Sequence, residues 1–272
     1  MNQTISLYLF LALAVLLAAC SVEASAATDA APIVEAAAGL DETAVTSTAA
    51  LQSVGSEQTA IENTSLPTAD IYDTPTANSD DLQAAESSPD MATITLAGDS
   101  ISVDGSGAIV NDSSVTITSA GTYSISGTLN NGQIIVDTAD ELTIFLILNG
   151  ADISYATGAP IYVANSEKTV FTLVEGTENV VTDGVSYVFP DAETDEPNAA
   201  VFSKDDLTIN GSGSLTVYAS YNNGITSKDD LIIAGGSITV NAANDGIKGR
   251  DSLTVLDGTI TVNAGGDGLQ AN

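Results

Sequence analysis

Leu207-Thr208-Ile209, Leu231-Ile232-Ile233 and Leu253-Thr254-Val255 open three successive units of one repeat. Each is followed by a second triplet, Leu215-Thr216-Val217, Ile238-Thr239-Val240 or Ile260-Thr261-Val262, and then by a short third segment, Gly224-Ile225, Gly246-Ile247 or Gly268-Leu269. Gly224, Gly246 and Gly268 are spaced 22 residues apart, while Leu207 and Leu231 are separated by 24. Alternation of apolar and polar residues in each triplet is the pattern of a β-strand with one buried face. Three short strands per unit of roughly 22 residues predict a parallel β-helix whose rungs stack about 4.8 Å apart. Leu207/Leu231/Leu253 and Val217/Val240/Val262 would form inward ladders, with Gly, Asn and Asp at the corners where positive φ is tolerated. The period is too short for a WD40 blade, and no helical half-repeat accompanies it.

Working outward, residues 91–181 have the same texture. Thr93-Ile94-Thr95-Leu96, Val115-Thr116-Ile117-Thr118 and Tyr123-Ser124-Ile125-Ser126 alternate with period two, and they read as earlier, less regular rungs. Thr182–Asn198, with Asp183, Asp191, Glu193, Asp195, Glu196 and two prolines, reads as a loop projecting between rungs. Residues 91–272 are thus one all-β domain, and its last rung stops at Asn272 without a cap, which predicts a fragment of a longer chain. Residues 21–90 hold 13 acidic and no basic residues with few large apolar ones, the composition of a disordered, self-repelling tether. Residues 5–19 are an apolar run close to a signal-peptide core and too short for a bilayer span. Leu17-Ala18-Ala19-Cys20 resembles the bacterial lipobox, so residues 1–20 read as a lipoprotein signal peptide. Cys20, the single cysteine, would carry the lipid at the membrane surface, although Met1–Thr4 lacks the usual Lys or Arg.

Composition narrows the chemistry. Among 272 residues there are 36 Asp+Glu, 5 Lys+Arg, no His and no Trp, for a formal charge of −31. Without histidine there is no imidazole base and no His-ligated metal. One cysteine excludes an internal disulfide and a Cys₄ site. Five cations cannot build a phosphate-binding patch, which argues against nucleic acid as a partner. Carboxylates and carbonyls are instead the ligands that calcium prefers.

The repeat converts single residues into columns. Lys204, Lys228 and Arg250 form a basic column beside the acidic Asp205, Asp229 and Asp251. They either compensate one another, each exposed pair contributing little, or make a polar strip that grips a sugar chain. Asp245 and Asp267 form a second column with Asn223 one rung earlier and Asn244 alongside. Two carboxylates 4.8 Å apart repel by roughly 3 kcal/mol at an effective dielectric of 20, a cost that a bridging calcium ion reverses. Turn chemistry alone is the other explanation of Asn-Asp-Gly and Gly-Asp-Gly. Lys248, replaced by Thr226 and Gln270 on the adjacent rungs, is the one candidate base should the chain eliminate across a uronide. Tyr218, Tyr221, Tyr187 and Phe189 are the candidate sugar-stacking aromatics, a capping or core contact being the other explanation of each.

Ser203-Lys204-Asp205-Asp206-Leu207-Thr208-Ile209-Asn210-Gly211, Ser227-Lys228-Asp229-Asp230-Leu231, Asn244-Asp245-Gly246-Ile247-Lys248 and Gly266-Asp267-Gly268 resemble the β-helical carbohydrate-binding-domain family of bacterial surface lipoproteins. That family is similar in fold to the calcium-dependent pectate lyases of polysaccharide lyase family nine. The resemblance covers about residues 91–272 and implies a right-handed β-helix, bound calcium and attachment to polysaccharide. It makes Asp245, Asp267, Asn244 and Asn223, with Asp230 and Asp251 of the neighbouring columns, the candidate calcium ligands. Three functions are compatible with this sequence: calcium-dependent binding of a pectate-like or cellulosic polysaccharide without catalysis, a calcium-dependent polyuronate lyase, and a structural adhesin or spacer.

Overall fold

In the structure, a computed structural model, residues 76–85, 90–189 and 193–271 are described, all within one compact unit that spans Ser65–Asn272. Cys20, the signal segment and most of the expected tether lie outside the described residues. Apart from one helical turn, α1 (Ser79–Leu82), the described elements are strands. β1 (Ala92–Gly98) and β2 (Ser100–Asp104) form an antiparallel hairpin, as do β3 (Ala108–Asn111) and β4 (Ser114–Ile117). The second hairpin turns at Asp112, whose φ of 54° suits a short acidic residue. These hairpins leave β2 and β3 as the outermost strands at the N-terminal end.

The remaining strands pair in parallel. They are β5 (Gly121–Leu129), β6 (Gln133–Asp137), β7 (Ile144–Tyr155), β8 (Ile161–Asn165), β9 (Lys168–Leu173), β10 (Glu178–Asp183), β11 (Ala199–Ser203), β12 (Asp206–Gly211), β13 (Ser214–Ala219), β14 (Asn223–Ser227), β15 (Asp230–Ala242), β16 (Ile247–Gly249), β17 (Ser252–Ala264) and β18 (Leu269–Ala271). One sheet has the order β10-β13-β15-β12-β9-β7-β5-β1-β2, with β17 on β15; the other runs β18-β16-β14-β11-β8-β6-β4-β3.

The architecture corrects the three-strand, right-handed β-helix solenoid expected above. The first and second triplets of a unit are not always separate strands, because glycine at the bend keeps the chain hydrogen-bonded through it. β15 passes through Gly236 (φ 89°) and β17 through Gly258 (φ 109°), and each is a single strand of 13 residues. A Cβ at Gly258 would lie 2.9 Å from the Gly236 carbonyl oxygen, so the bends stack directly only without side chains. β15 therefore pairs with β12 through Leu231–Ile233 and with β13 through Ser237–Ala242. The bent strand β7 likewise takes β9 on its first half and β10 on its second. With β9 on β12 and β10 on β13, six parallel strands close as a barrel, β7-β9-β12-β15-β13-β10, and the second sheet stands beside it.

Register within this barrel aligns the repeat columns. Leu207, Leu231 and Leu253 are successive partners, as are Val217, Val240 and Val262. Leu207, Leu231, Val217 and Val240 are buried in the principal core with Ile209, Ile233, Phe171 and the inward residues of the second sheet, Ile225 and Ile247 among them. Each such side chain contributes about 1.5–3 kcal/mol when fully buried. A satellite cluster of Ala159, Ala199 and Phe202 packs against Tyr162 and Tyr187. The first part of the segment read as a projecting loop is tied to the domain: Thr182 and Asp183 belong to β10, the Val188 N–H donates to the Thr157 carbonyl, and Tyr187 joins this cluster.

Candidate functional site

The outer side of the barrel carries a plane that the repeat creates. Ser214-Leu215-Thr216-Val217-Tyr218-Ala219, Ser237-Ile238-Thr239-Val240-Asn241-Ala242 and Thr259-Ile260-Thr261-Val262-Asn263-Ala264 lie side by side in register. Leucine, isoleucine and valine turn inward, so alternation leaves Ser214, Thr216 and Tyr218, then Ser237, Thr239 and Asn241, then Thr259, Thr261 and Asn263 facing out. None of these nine positions is charged, on a chain of net charge −31. Tyr218 is 46% exposed, the one exposed aromatic among the described residues. Beside it Asn241, Asn263 and a floor of alanines line an open trough of about 370 Å³. An apolar ring face flanked by amides and hydroxyls offers stacking and hydrogen bonds to a flat polyhydroxylated chain.

The other expected aromatics are elsewhere. Tyr187 and Tyr221 stack on each other, with centroids 4.1 Å apart and 16° between planes, and Phe189 meets Tyr221 edge-on. The Tyr187 hydroxyl donates to Asp183 Oδ2 at 2.7 Å. Burial, then the Asp183 charge, raise this phenol far above its ordinary pKa, so it stays a donor. This pair is a structural clasp, distinct from the exposed ring of Tyr218.

The basic column is aligned but does not converge on one ligand. The N–H groups of Lys204, Lys228 and Arg250 donate to the carbonyls of Val163, Ser203 and Ser227, stepping from layer to layer. Lys204 Nζ lies 6.0 Å from the centroid of the Tyr162 ring, Lys228 pairs with Glu196, and Arg250 is exposed. On the acidic side, Asp205 Oδ2 accepts the Ser166 N–H, and Asp230 Oδ1 accepts the Ser252 hydroxyl. Burial, then Asp251, Asp205 and Asp230, raise the Asp229 carboxyl. Burial and the Asp230 charge likewise raise Asp206. A carboxyl whose pKa is raised on folding binds protons better in the folded state, so stability increases as pH falls through the raised values. Thermal unfolding should therefore show Tm rising between pH 7 and the ordinary carboxylate range near about 4. Asp229→Asn should raise Tm at pH 7 and flatten that rise; a Tm that declines steadily from pH 7 to 5 contradicts this.

The Asn/Asp column is chiefly a cap for successive turns. Asn223 Oδ1 accepts from the Asn244 side-chain amide at 3.0 Å and from the Asp245 N–H at 3.2 Å. One layer on, Asp245 Oδ1 accepts the Asp267 N–H at 3.1 Å. Lys248 Nζ stands 3.7 Å from Asp245 Oδ2. A Cβ at Gly266 would come within 2.5 Å of Asp245 Oδ1 and 2.8 Å of Asn244 Oδ1, so this glycine lets two side-chain oxygens close over the backbone. Those oxygens suit a hard cation, but the set is small and Lys248 already partners Asp245. Asp230 opens β15 and Asp251 lies between β16 and β17, whereas Asn244 and Asp245 lie between β15 and β16. Among the described residues no three acidic side chains gather to hold a metal ion.

A family model described as carbohydrate-binding domain-containing protein matches residues 111–272. The chain belongs to that family. A curated family relative of the same description, from Acetivibrio thermocellus, is 44% identical over 152 residues, which are 56% of this chain and 53% of the relative. The chain thus spans about half the length of that relative. A solved structure described as the polysaccharide lyase-like protein from C. thermocellum, gadolinium derivative, aligns with a TM-score of 0.65 at 43% identity, covering 66% of this chain and 73% of the other. For this family member, the sequence singles out Tyr218 and the Asn/Asp corner as candidates and does not single out the plane around Tyr218. The signal was present in the threefold recurrence of Ser/Thr-x-Thr-x-Tyr/Asn-Ala.

Proposed function

We propose that the outer plane of β13, β15 and β17 binds a polysaccharide without cleaving it. The observation that carries this reading is the set of nine uncharged positions, eight hydroxyl or amide side chains with the exposed Tyr218, set apart from the carboxylate columns at the corners. Such a plane favours a neutral, cellulosic chain, since a polyuronate would meet the overall negative field. Family membership supports carbohydrate as the ligand class. Calcium enters this reading as a bridge at the Asn244–Asp245–Asp267 corner, where it would displace Lys248 from Asp245 and offer a polyuronate carboxylate a ligand position.

Binding isotherms on a neutral β-glucan and on polygalacturonate, each with calcium and with chelator, test both parts. The neutral glucan should bind in either condition and polygalacturonate in calcium alone. Failure of both ligands to bind overturns the reading, and polygalacturonate binding undiminished by chelator removes calcium from it. A lyase would instead release unsaturated uronide absorbance from pectate. That release would overturn the non-catalytic part of this reading and make Lys248, freed from Asp245 by calcium, the candidate base. The reading also places the domain at the cell surface through a lipid on Cys20; Cys20→Ser should shift the protein out of the membrane fraction.

A further inference from the structure

The barrel has a second outward face, on β7, β9, β12 and β15, and the chain's own residues 76–85 lie across it. Register puts Ile147 opposite Thr172, Val170 opposite Thr208, and Thr208 opposite Ile232. Ile147, Val170 and Ile232 are buried, at 5%, 0% and 4% exposure, yet none belongs to the core of inward side chains.

Polar side chains of this face read the segment in detail. Lys168 pairs with the Asp81 carboxylate, and the Thr208 hydroxyl donates to Asp81 Oδ1. The Asn210 amide donates to the carbonyls of Asp80, Asp81 and Gln83 at 3.4, 3.2 and 3.1 Å. Thr172 Oγ1 accepts the Ala85 N–H at 3.0 Å, and Thr143 Oγ1 donates to Asp80 Oδ2 at 2.9 Å. Asn78 shapes the bound form, its side chain accepting from the Asp80 and Asp81 N–H groups while its own N–H donates to Asp81 Oδ2.

The hold is polar and incomplete. Leu82, the one large apolar side chain of the segment, is 62% exposed, and cavities of about 320 and 230 Å³ flank the segment between it and the sheet. Removing Asp81 takes away the partner of Lys168, which faces Asp206 in the register of β9 and β12.

We propose that this face is a peptide-docking groove selective for a capped, acidic turn, and that residues 76–85 are its resident, exchangeable occupant bound in cis. Lys168 and Thr208 read the carboxylate, and Asn210 reads the carbonyls of the turn. The groove is separate from the uncharged plane of β13, β15 and β17, so it does not depend on glycan binding.

Hydrogen exchange on the full chain tests this. The Asp80, Asp81 and Ala85 amides should be protected in the wild type. Asp81→Asn, and independently Asn78→Ala at the exposed cap, should speed exchange over residues 79–85 at least tenfold while the Leu231–Ile233 amides stay unchanged. A synthetic Thr76–Ala85 peptide should then bind saturably to the Asp81→Asn chain. The same peptide carrying Asp81→Asn should bind at least tenfold more weakly, and Lys168→Met in the chain should abolish binding. Unprotected amides in the wild type, or no binding of the wild-type peptide, overturns the proposal. So does a concentration-dependent dimer that swaps the segment between copies, since it would place the occupant in trans.

Discussion

Asn179→Ala is expected to lower the free energy of unfolding by roughly 3–5 kcal/mol, with each buried partner left unsatisfied costing about 1–3 kcal/mol. Asn179 is 1% exposed and sits on β10, where the barrel closes. Its Oδ1 accepts the N–H groups of Gly150 and Ala151, at 3.0 and 2.9 Å, in the bend of β7. Its amide donates to the Ser214 carbonyl on β13 at 3.0 Å and to Thr177 Oγ1 at 3.3 Å. One side chain therefore joins β7, β10 and β13. Alanine leaves the buried Ala151 N–H and the half-buried Gly150 N–H of the bend without their acceptor, and the β10 seam loses its clip. Chemical denaturation measures the difference; a loss below about 1 kcal/mol would mean the seam closes without it, because a lost buried network exceeds an ordinary surface change.

Thr239→Glu is expected to reduce affinity for a neutral glucan about 100-fold, since a flat ligand must strip water from a carboxylate placed among uncharged partners. Thr239 lies at the middle of the plane, paired with Thr216 on one side and Thr261 on the other. Its side chain points away from the core, so the fold should persist, with an unchanged thermal transition as the control. Tyr218→Ala removes the stacking surface, and a loss of about 1.4 kcal/mol there is tenfold in Kd. Thr239→Val keeps the shape without the hydroxyl and should fall between wild type and Thr239→Glu. Full binding by Thr239→Glu would move the glycan site off this plane.

The repeat made strand identity and register readable. Spacing alone makes Leu207, Leu231 and Leu253 partners, because the repeat of 24 and then 22 residues is also the sequence separation of the paired strands. How the strands connect was not readable. Whether Gly236 ends a strand or bends it depends on hydrogen bonding across the turn, and two triplets joined by a glycine look the same in either case. That ambiguity separates the closed barrel with a second sheet from the three-strand solenoid. The site was half legible for a similar reason. Asp245 and Asp267 stand out as charges, whereas Thr216, Thr239 and Thr261 look like ordinary strand residues until register lays them side by side. The role of Asp81 was not legible at all, because it lies 127 residues before Thr208 in a stretch whose composition resembles a linker.

Residues 76–85 also decide how the domain bears a pull applied to the chain before Thr76. Tension reaches the sheet first through Asp81 on Lys168 and Thr208, and through Asn210 on three carbonyls, all of which share the load in parallel. When these contacts give way, the chain between Thr76 and β1 can extend to at most about 54 Å at roughly 3.4 Å per residue before β1 is loaded. The segment is thus a sacrificial shock absorber in series with the barrel, and stretching would expend polar bonds that re-form on relaxation before it touched the core.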